Sequence, residues 1–151
     1  EHTPWTSRFA AEEAARQGDN LIAVLNVDSI DGKSDQDTSE EKLIHVVTYS
    51  TDEGRVLAEF VCSCAAKYGL GLEAGTGYKK KVNDDDGMFI NAGFPRTVMN
   101  IGSWPYEDSQ YHLPGDVPER VSIENVVLST QLILAAVLEI DGGGMDIIGE
   151  R

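Results

Sequence analysis

One of the three histidines, His112, lies in a loop rich in proline and glycine, directly before the most apolar segment of the chain. The loop covers residues 111–120 (YHLPGDVPER), so Asp116 follows the imidazole four residues later. An imidazole held by a rigid turn can present a nitrogen lone pair to a metal ion, and a nearby carboxylate can accept a hydrogen bond beside it. The same residue types occur in ordinary surface loops, so a metal ligand and a plain surface turn both stay open.

Acidic side chains follow two other segments that are predicted to be strands. Asp28 comes directly after the apolar run 21–27, and three consecutive aspartates occupy positions 84–86. Carboxylates that meet an imidazole at one sheet edge are a ligand set suited to zinc or a similar divalent ion. Two other interpretations are open: Asp28 could cap a turn, and the aspartate run could be a solvated turn or could neutralise the lysines at 79–81.

The spacing of apolar residues predicts strands and helices that alternate along the chain. Strands are predicted at residues 21–27, 43–49, 70–73 and 96–101, and helices at 7–17, 52–68 and 119–140, with a helical turn at 88–92. This alternation predicts a three-layer α/β sandwich around a largely parallel or mixed central sheet. In such sheets the loops at the carboxyl ends of strands meet at one edge, where we expect Asp28, the aspartate run and His112. His45, in the middle of the second strand, is expected to be a buried structural residue.

Composition limits the class of protein and its partners. The 151 residues carry a formal net charge of -14, which argues against nucleic acid and anionic membranes as partners. The apolar run 126–140 is expected to be too short and too polar to span a membrane. Cys62 and Cys64 lie two positions apart on a predicted helix and are expected to be small buried residues rather than a disulfide. We expect one domain over residues 1–141 and a flexible tail over 142–151.

Three segments, in order, resemble motifs of the co-catalytic zinc aminopeptidases of the aminopeptidase Y and glutamate carboxypeptidase II superfamily. Residues 25–32 (LNVDSIDG) look like the family's Asn-hydrophobic-Asp-x-x-Gly strand end. Residues 84–95 (DDDGMFINAGFP) look like its Ser-Asp-His-x-x-Phe-x-x-x-Gly-Ile-Pro motif. Residues 111–118 (YHLPGDVP) look like its Tyr-His-Thr-Pro-x-Asp-Thr motif, which a long helix follows. The resemblance covers about residues 20–140.

The resemblance implies a site with two zinc ions that polarise the scissile carbonyl and generate a bound hydroxide. Asp28 would ligate one zinc and His112 the other, and Glu1 would be the metal-binding glutamate of the family. Asp85 would be an outer carboxylate behind the metals, and Asp116 would lie close to the histidine loop. The general-base glutamate is expected just before Glu1, so no catalytic residue is expected in this chain.

The sequence departs from the family pattern in ways that bear on catalysis. The His-x-Asp motif, which supplies a histidine and the bridging aspartate, has no counterpart here. Asp86 replaces the family's histidine, and Leu113 replaces a threonine. Glu1, Asp28 and His112 would be at most three ligands for two metals, whereas a stable site generally needs three or four for each ion. We therefore expect a zinc-exopeptidase-like fold whose amino-terminal half is absent from this chain, and no catalysis by the chain alone.

Two classes of function follow from the resemblance. The first is a zinc-dependent exopeptidase that cleaves amino-terminal residues from peptides, completed by a second chain or by the missing amino-terminal half of the domain. The second is a non-catalytic relative that serves as a scaffold or interaction domain. In both cases the apolar surface of half a sheet is expected to need a protein partner. Secretion is typical of the family, and the sequence itself leaves the compartment open.

Overall fold

The computed structural model describes residues 6–149, so Glu1 and its expected role as a metal ligand lie outside the described residues. The helices are α1 (Thr6–Gln17), α2 (Asp35–Ser39), α3 (Asp52–Tyr68), α4 (Asp85–Asn91), α5 (Ile123–Gly143) and α6 (Met145–Ile148). The strands are β1 (Val24–Val27), β2 (Ile44–Tyr49), β3 (Glu73–Tyr78) and β4 (Thr97–Ile101), and a 3-10 turn covers Pro118–Arg120. Helices and strands alternate over most of the chain, as an α/β fold requires.

The four strands form one mixed sheet in the order β1-β4-β2-β3. β1 is parallel to β4 and β2 is parallel to β3, whereas β2 and β4 are antiparallel. The α/β class with a mixed central sheet is therefore confirmed. β1 is an edge strand, and its last residue, Val27, is 50% exposed.

The hydrophobic core lies where α3 and α5 pack against the side of the sheet that carries Val47 and Val98. Its fully buried side chains include Val47, Leu57, Val61, Val98, Leu132 and Ala136. Helix α3 has the predicted bounds because both ends carry local signals: the Thr51 side chain accepts from the Gly54 amide, and Gly69 adopts a left-handed conformation (φ 60°). Cys64 is buried and Cys62 half-buried, both as free thiols, and burial raises the pKa of Cys62 to about 12.

The third strand and the last helix differ from their predicted bounds. The third strand covers Glu73–Tyr78 rather than residues 70–73, because Gly75 and Gly77 interrupt the apolar pattern of a strand that lies at the other sheet edge. The last helix begins at Ile123 rather than near residue 119, because the Ser122 side chain caps it by accepting from the Asn125 amide.

The segment 142–151, expected to be a flexible tail, is helical over most of its described part. Gly142 and Gly143 complete α5, and α6 follows at Met145–Ile148. The Ile148 side chain is 1% exposed and belongs to the core cluster. Residues up to 149 therefore pack with the domain.

Helix α5 is the one helix of the described residues that is long and apolar enough to cross a membrane, at 21 residues with a mean hydropathy of 1.6. The expectation that this segment is too short and too polar to span a membrane was based on the apolar run 126–140, and the helix is longer than that run. One side is buried in the core, through Leu132, Ala136 and Ile140. The other side exposes Ile123, Val127, Leu134, Val137 and Leu138. The core helix of a globular domain can be equally long and apolar. The exposed side of α5 is an apolar surface that no described residue covers.

Candidate functional site

Asp28 lies at the carboxyl end of β1, at the mouth of a cleft of about 420 Å³. Its backbone amide donates to the Asn100 carbonyl (3.0 Å), which continues the pairing of β1 with β4, and the Ser29 hydroxyl donates to its carboxylate (2.9 Å). The cleft is lined by Asp28, Ser29, Lys79, Lys80, Lys81, Asn83, Asp84, Met99, Ile101, Trp104, Tyr106 and Tyr111. Strand pairing thus fixes the carboxylate at the cleft.

The histidine loop reaches the same cleft through one aromatic ring, that of Tyr111. Tyr106 and Tyr111 both line it and meet edge to face, with ring centroids 5.1 Å apart. The imidazole of His112 packs edge-on against Tyr111 at a centroid distance of 4.0 Å. The fold therefore brings Asp28 and Tyr111 to one cleft, although they are far apart in sequence, and His112 lies next to the cleft rather than in its lining.

A left-handed backbone conformation occurs at His112 and at the residue after Asp28. Three described residues other than glycine have positive φ, and two of them are Ser29 (48°), next to Asp28, and His112 itself (61°). A left-handed conformation costs free energy in residues with a Cβ atom and persists where the surroundings enforce it, often at functional sites. The third such residue, Glu41, lies in a turn outside the cleft.

The three consecutive aspartates have three different surroundings. Asp84 lines the cleft and caps α4 by accepting from the Asp85 amide (3.1 Å). Asp85, the expected outer carboxylate, accepts a short hydrogen bond from Ser7 and so ties α4 to α1. Asp86 is 1% exposed and pairs with the ammonium of Lys79 at 2.8 Å. The alternative in which this run neutralises a lysine is confirmed for Asp86, and Asp84 is the aspartate that the fold places at the cleft.

Asp116 is exposed and lies outside the residues that line the cleft. Its amide donates to the Leu113 carbonyl (2.9 Å), which closes the turn after the histidine. Among residues 6–149 no group of three or more histidine, cysteine, aspartate or glutamate side chains could hold a metal ion. Asp28 lines the cleft, whereas His112 is exposed and is not one of the lining residues, so their common role in a metal site stays a prediction.

A buried ion pair, which the sequence analysis did not identify, holds the loop that follows Asp28. The Lys33 ammonium lies 2.9 Å from the Asp31 carboxylate, and the two side chains are 2% and 6% exposed. The other oxygen of Asp31 accepts from the Ser122 amide (2.6 Å), and Lys33 also donates to the Lys42 carbonyl (2.8 Å). The pair thus joins the Asp28 loop to the first turn of α5.

Two aromatic walls of the cleft pack tightly against glycines. A Cβ atom on Gly77 would lie 2.4 Å from Trp104 Cδ1, and the Trp104 indole nitrogen donates to the Tyr78 carbonyl (3.0 Å). A Cβ atom on Gly32 would lie 2.4 Å from the Tyr106 ring. Burial raises the pKa of Tyr106, whose hydroxyl also hydrogen-bonds Ser29. No local sequence pattern indicates these walls, because each ring packs against a glycine that is distant in sequence.

His45 is fully buried, as expected of a structural histidine. Its Nε2 lies 3.0 Å from the Asn100 side-chain oxygen, and the amide nitrogen of Asn100 donates to the Asn26 carbonyl (3.0 Å). Because this second bond turns the oxygen of Asn100 toward the ring, Nε2 is the donor and the neutral ring leaves a lone pair on Nδ1. Nδ1 has no hydrogen-bond partner among the described residues.

We expect His45 to make folding stability depend on pH. Burial lowers its pKa below the ordinary value, which outweighs the opposing effect of the bond to Asn100. The unfolded chain therefore binds a proton more readily than the folded chain, so stability is full above a pH of about 6.5 and falls as the pH decreases below it. Urea unfolding at pH 7.5 and pH 5.5 measures the difference. His45→Gln should reduce the pH dependence over this interval, and an unchanged slope in that variant would contradict the assignment.

No protein-family model matches the chain, and neither does any curated protein sequence. The resemblance to zinc aminopeptidases accordingly stays an expectation carried by the three motifs. What the fold adds is the common cleft of Asp28 and the histidine loop.

Proposed function

We propose that this chain carries part of the zinc site of an aminopeptidase-type exopeptidase, with the remaining site residues supplied from outside it. The observation that supports the proposal best is that Asp28 and Tyr111 line one cleft from distant parts of the sequence, with the His112 ring packed against Tyr111. Asp28 and His112 would each contribute a ligand. The bound zinc would supply a hydroxide for hydrolysis of the amino-terminal peptide bond and would polarise its carbonyl.

The residues around both groups act as positioning elements in this proposal. The hydrogen bond from Ser29 and the pairing of the Asp28 amide with Asn100 restrict the carboxylate to one orientation. The left-handed backbone at His112 and the edge of Tyr111 restrict the imidazole. Ligands that are held before the metal binds lose little conformational entropy on binding, which favours affinity.

The free edge of β1 supports the proposal that the rest of the site comes from another chain or from an amino-terminal half. Val27, directly before Asp28, is half exposed at the sheet edge. A further strand paired with β1 would bring new side chains next to Asp28 and would satisfy the unpaired strand edge. The exposed side of α5 offers apolar area for the same partner. We therefore expect these residues to fold cooperatively only together with that partner.

Hydrolysis of leucine p-nitroanilide by the intact assembly tests the proposed activity. We expect turnover that is lost on treatment with 1,10-phenanthroline and restored by added zinc, because the metal generates the nucleophile. The same assay without the partner should show no turnover. Hydrolysis that is insensitive to the chelator, or its complete absence from a zinc-loaded assembly, would contradict the proposal.

The second candidate is a non-catalytic peptidase-like scaffold or interaction domain. It is favoured by the surroundings of Asp86, which the Lys79 ammonium neutralises at the position where the family motif has a histidine. It is also favoured by the lack of a three-residue metal-ligating group within residues 6–149. A stable complex with a partner chain that contains no zinc and has no chelator-sensitive hydrolysis would support this candidate over the first.

A further inference from the structure

We propose that the cleft beside Asp28 binds peptides that carry a carboxylate near an apolar or aromatic side chain, and that Lys80 and Lys81 recognise the carboxylate. This inference deepens the proposed function and depends on it for the ligand being a peptide.

The cleft combines three lysines with two aspartates, Asp28 and Asp84, in a chain that is otherwise strongly acidic. The chain has 12 lysines and arginines against 26 aspartates and glutamates, yet three consecutive lysines line this one cleft. Lys79 is 5% exposed and is neutralised by Asp86 at 2.8 Å, with Asp84 at 3.7 Å. It therefore serves the structure of the loop rather than a ligand.

Lys80 and Lys81 differ from Lys79 in both exposure and pairing. Both side chains are exposed, and neither forms an ion pair or hydrogen bond with any residue of the range 6–149. A general acidic surface repels anions, so two unpaired ammonium groups at a cleft form a local exception that attracts a carboxylate. Lysine acts here as a flexible point charge, which suits a ligand group whose position varies.

The rest of the cleft suits an apolar group. Met99 and Ile101 of β4 contribute its apolar surface, together with Trp104, Tyr106 and Tyr111. Trp104 is fixed by the hydrogen bond to the Tyr78 carbonyl and by its contact with Gly77. A preformed aromatic wall next to a few charged groups is typical of small-molecule sites, where the apolar lining gives affinity and the charges give orientation. The preferred ligand is therefore apolar with one anionic group.

Two parts of a peptide could supply that carboxylate. In a dipeptide or tripeptide it would be the terminal carboxylate, and in a longer peptide it would be the side chain of an aspartate or glutamate close to the amino terminus. Both present the same chemistry to Lys80 and Lys81. Binding of peptides that carry a terminal carboxylate, a side-chain carboxylate or neither distinguishes the two sources.

The test is isothermal titration calorimetry on the intact assembly, kept in chelator so that the peptides are not hydrolysed. The peptides are Phe-Gly-amide without a carboxylate, Phe-Gly with a terminal carboxylate, and Phe-Glu-amide with a side-chain carboxylate. We expect at least one carboxylate peptide to bind about fivefold or more tightly than Phe-Gly-amide, as two exposed ion pairs can provide. The double variant Lys80→Gln with Lys81→Gln should abolish that preference and leave the binding of Phe-Gly-amide unchanged.

A matched control removes the same charge elsewhere. Arg55 and Lys67 are exposed on α3, outside the residues that line the cleft. The double variant Arg55→Gln with Lys67→Gln should keep the carboxylate preference. Equal binding of the three peptides, no binding at all, or an equal loss in the control variant would overturn the proposal.

These outcomes are separate from those of the activity test. Carboxylate-selective binding in an assembly that has no chelator-sensitive hydrolysis would support the recognition site and contradict the proposed peptidase activity. Chelator-sensitive hydrolysis without carboxylate preference would support the peptidase activity and contradict the proposed role of Lys80 and Lys81.

Discussion

Replacement of Asp31 by alanine is expected to lower the free energy of unfolding by about 3–5 kcal/mol, the cost of leaving one member of a buried ion pair without its partner. The Lys33 ammonium, 2% exposed, would keep its bond to the Lys42 carbonyl but would lose the carboxylate with which it is paired. The Ser122 amide would also lose its acceptor at the start of α5. Urea denaturation of the intact assembly, followed by far-ultraviolet circular dichroism, measures the change.

The double variant Asp31→Ala with Lys33→Met distinguishes the effect of an unpaired buried charge from the effect of changing the loop. It removes both charges and places an apolar side chain of similar length in the buried position, so it should be more stable than Asp31→Ala alone. Because the Asp31 loop follows Asp28, recovery of stability should also restore the geometry of the cleft. If Asp31→Ala alone unfolds at the same urea concentration as the unmodified protein, the structural role of the ion pair is contradicted.

Replacement of either candidate metal ligand is expected to lower zinc affinity by more than about a hundredfold, since loss of an outer partner alone already costs 10–100-fold. Asp28→Asn keeps the shape and the hydrogen bond with Ser29 but removes the charge that a zinc ion needs. His112→Gln removes the imidazole and leaves Tyr111 in place. Competition with a fluorescent zinc chelator measures the affinity of each variant in the intact assembly.

Two aspartates provide graded comparisons for these variants. Asp19 is exposed in the segment after α1 and lies outside the cleft, so Asp19→Asn should leave zinc affinity unchanged. Asp116 closes the turn after the histidine, and Asp116→Asn should have at most the effect of an outer partner, about tenfold. Equal losses in all four variants would indicate a general effect of charge or stability rather than ligation.

The sequence predicted those elements whose signals are local. Helix α3 has the predicted bounds because its threonine cap and its glycine stop both lie within one turn of its ends. Asp28 follows β1 and the histidine loop follows β4, and because these strands are parallel their carboxyl ends lie at the same end of the sheet. The aspartate run follows β3, which points the opposite way, so the rule does not explain why Asp84 lines the cleft. The predicted position of strand β3 was wrong because two glycines remove the alternation of apolar and polar residues that identifies a strand.

The remaining differences come from contacts between distant residues. The burial of Lys33 depends on Asp31 together with the Lys42 carbonyl, and nothing in a polar loop indicates that this carbonyl will face it. The choice between Asp84 and Asp85 as the cleft residue depends on where α4 begins, because consecutive helical residues point about 100° apart. The edge position of β1 depends on which strands pair, which a local pattern does not specify.

The central claim is that Asp28 and His112 contribute to one zinc site that is completed from outside this chain. The zinc content of the intact assembly after gel filtration, determined by inductively coupled plasma mass spectrometry beside the Asp28→Asn and His112→Gln variants, tests it most directly. We predict about two zinc ions per assembled site, as in other two-metal hydrolases, and a clear loss in both variants. Zinc at the same level in the unmodified protein and in both variants, or no zinc in any of them, would contradict the claim.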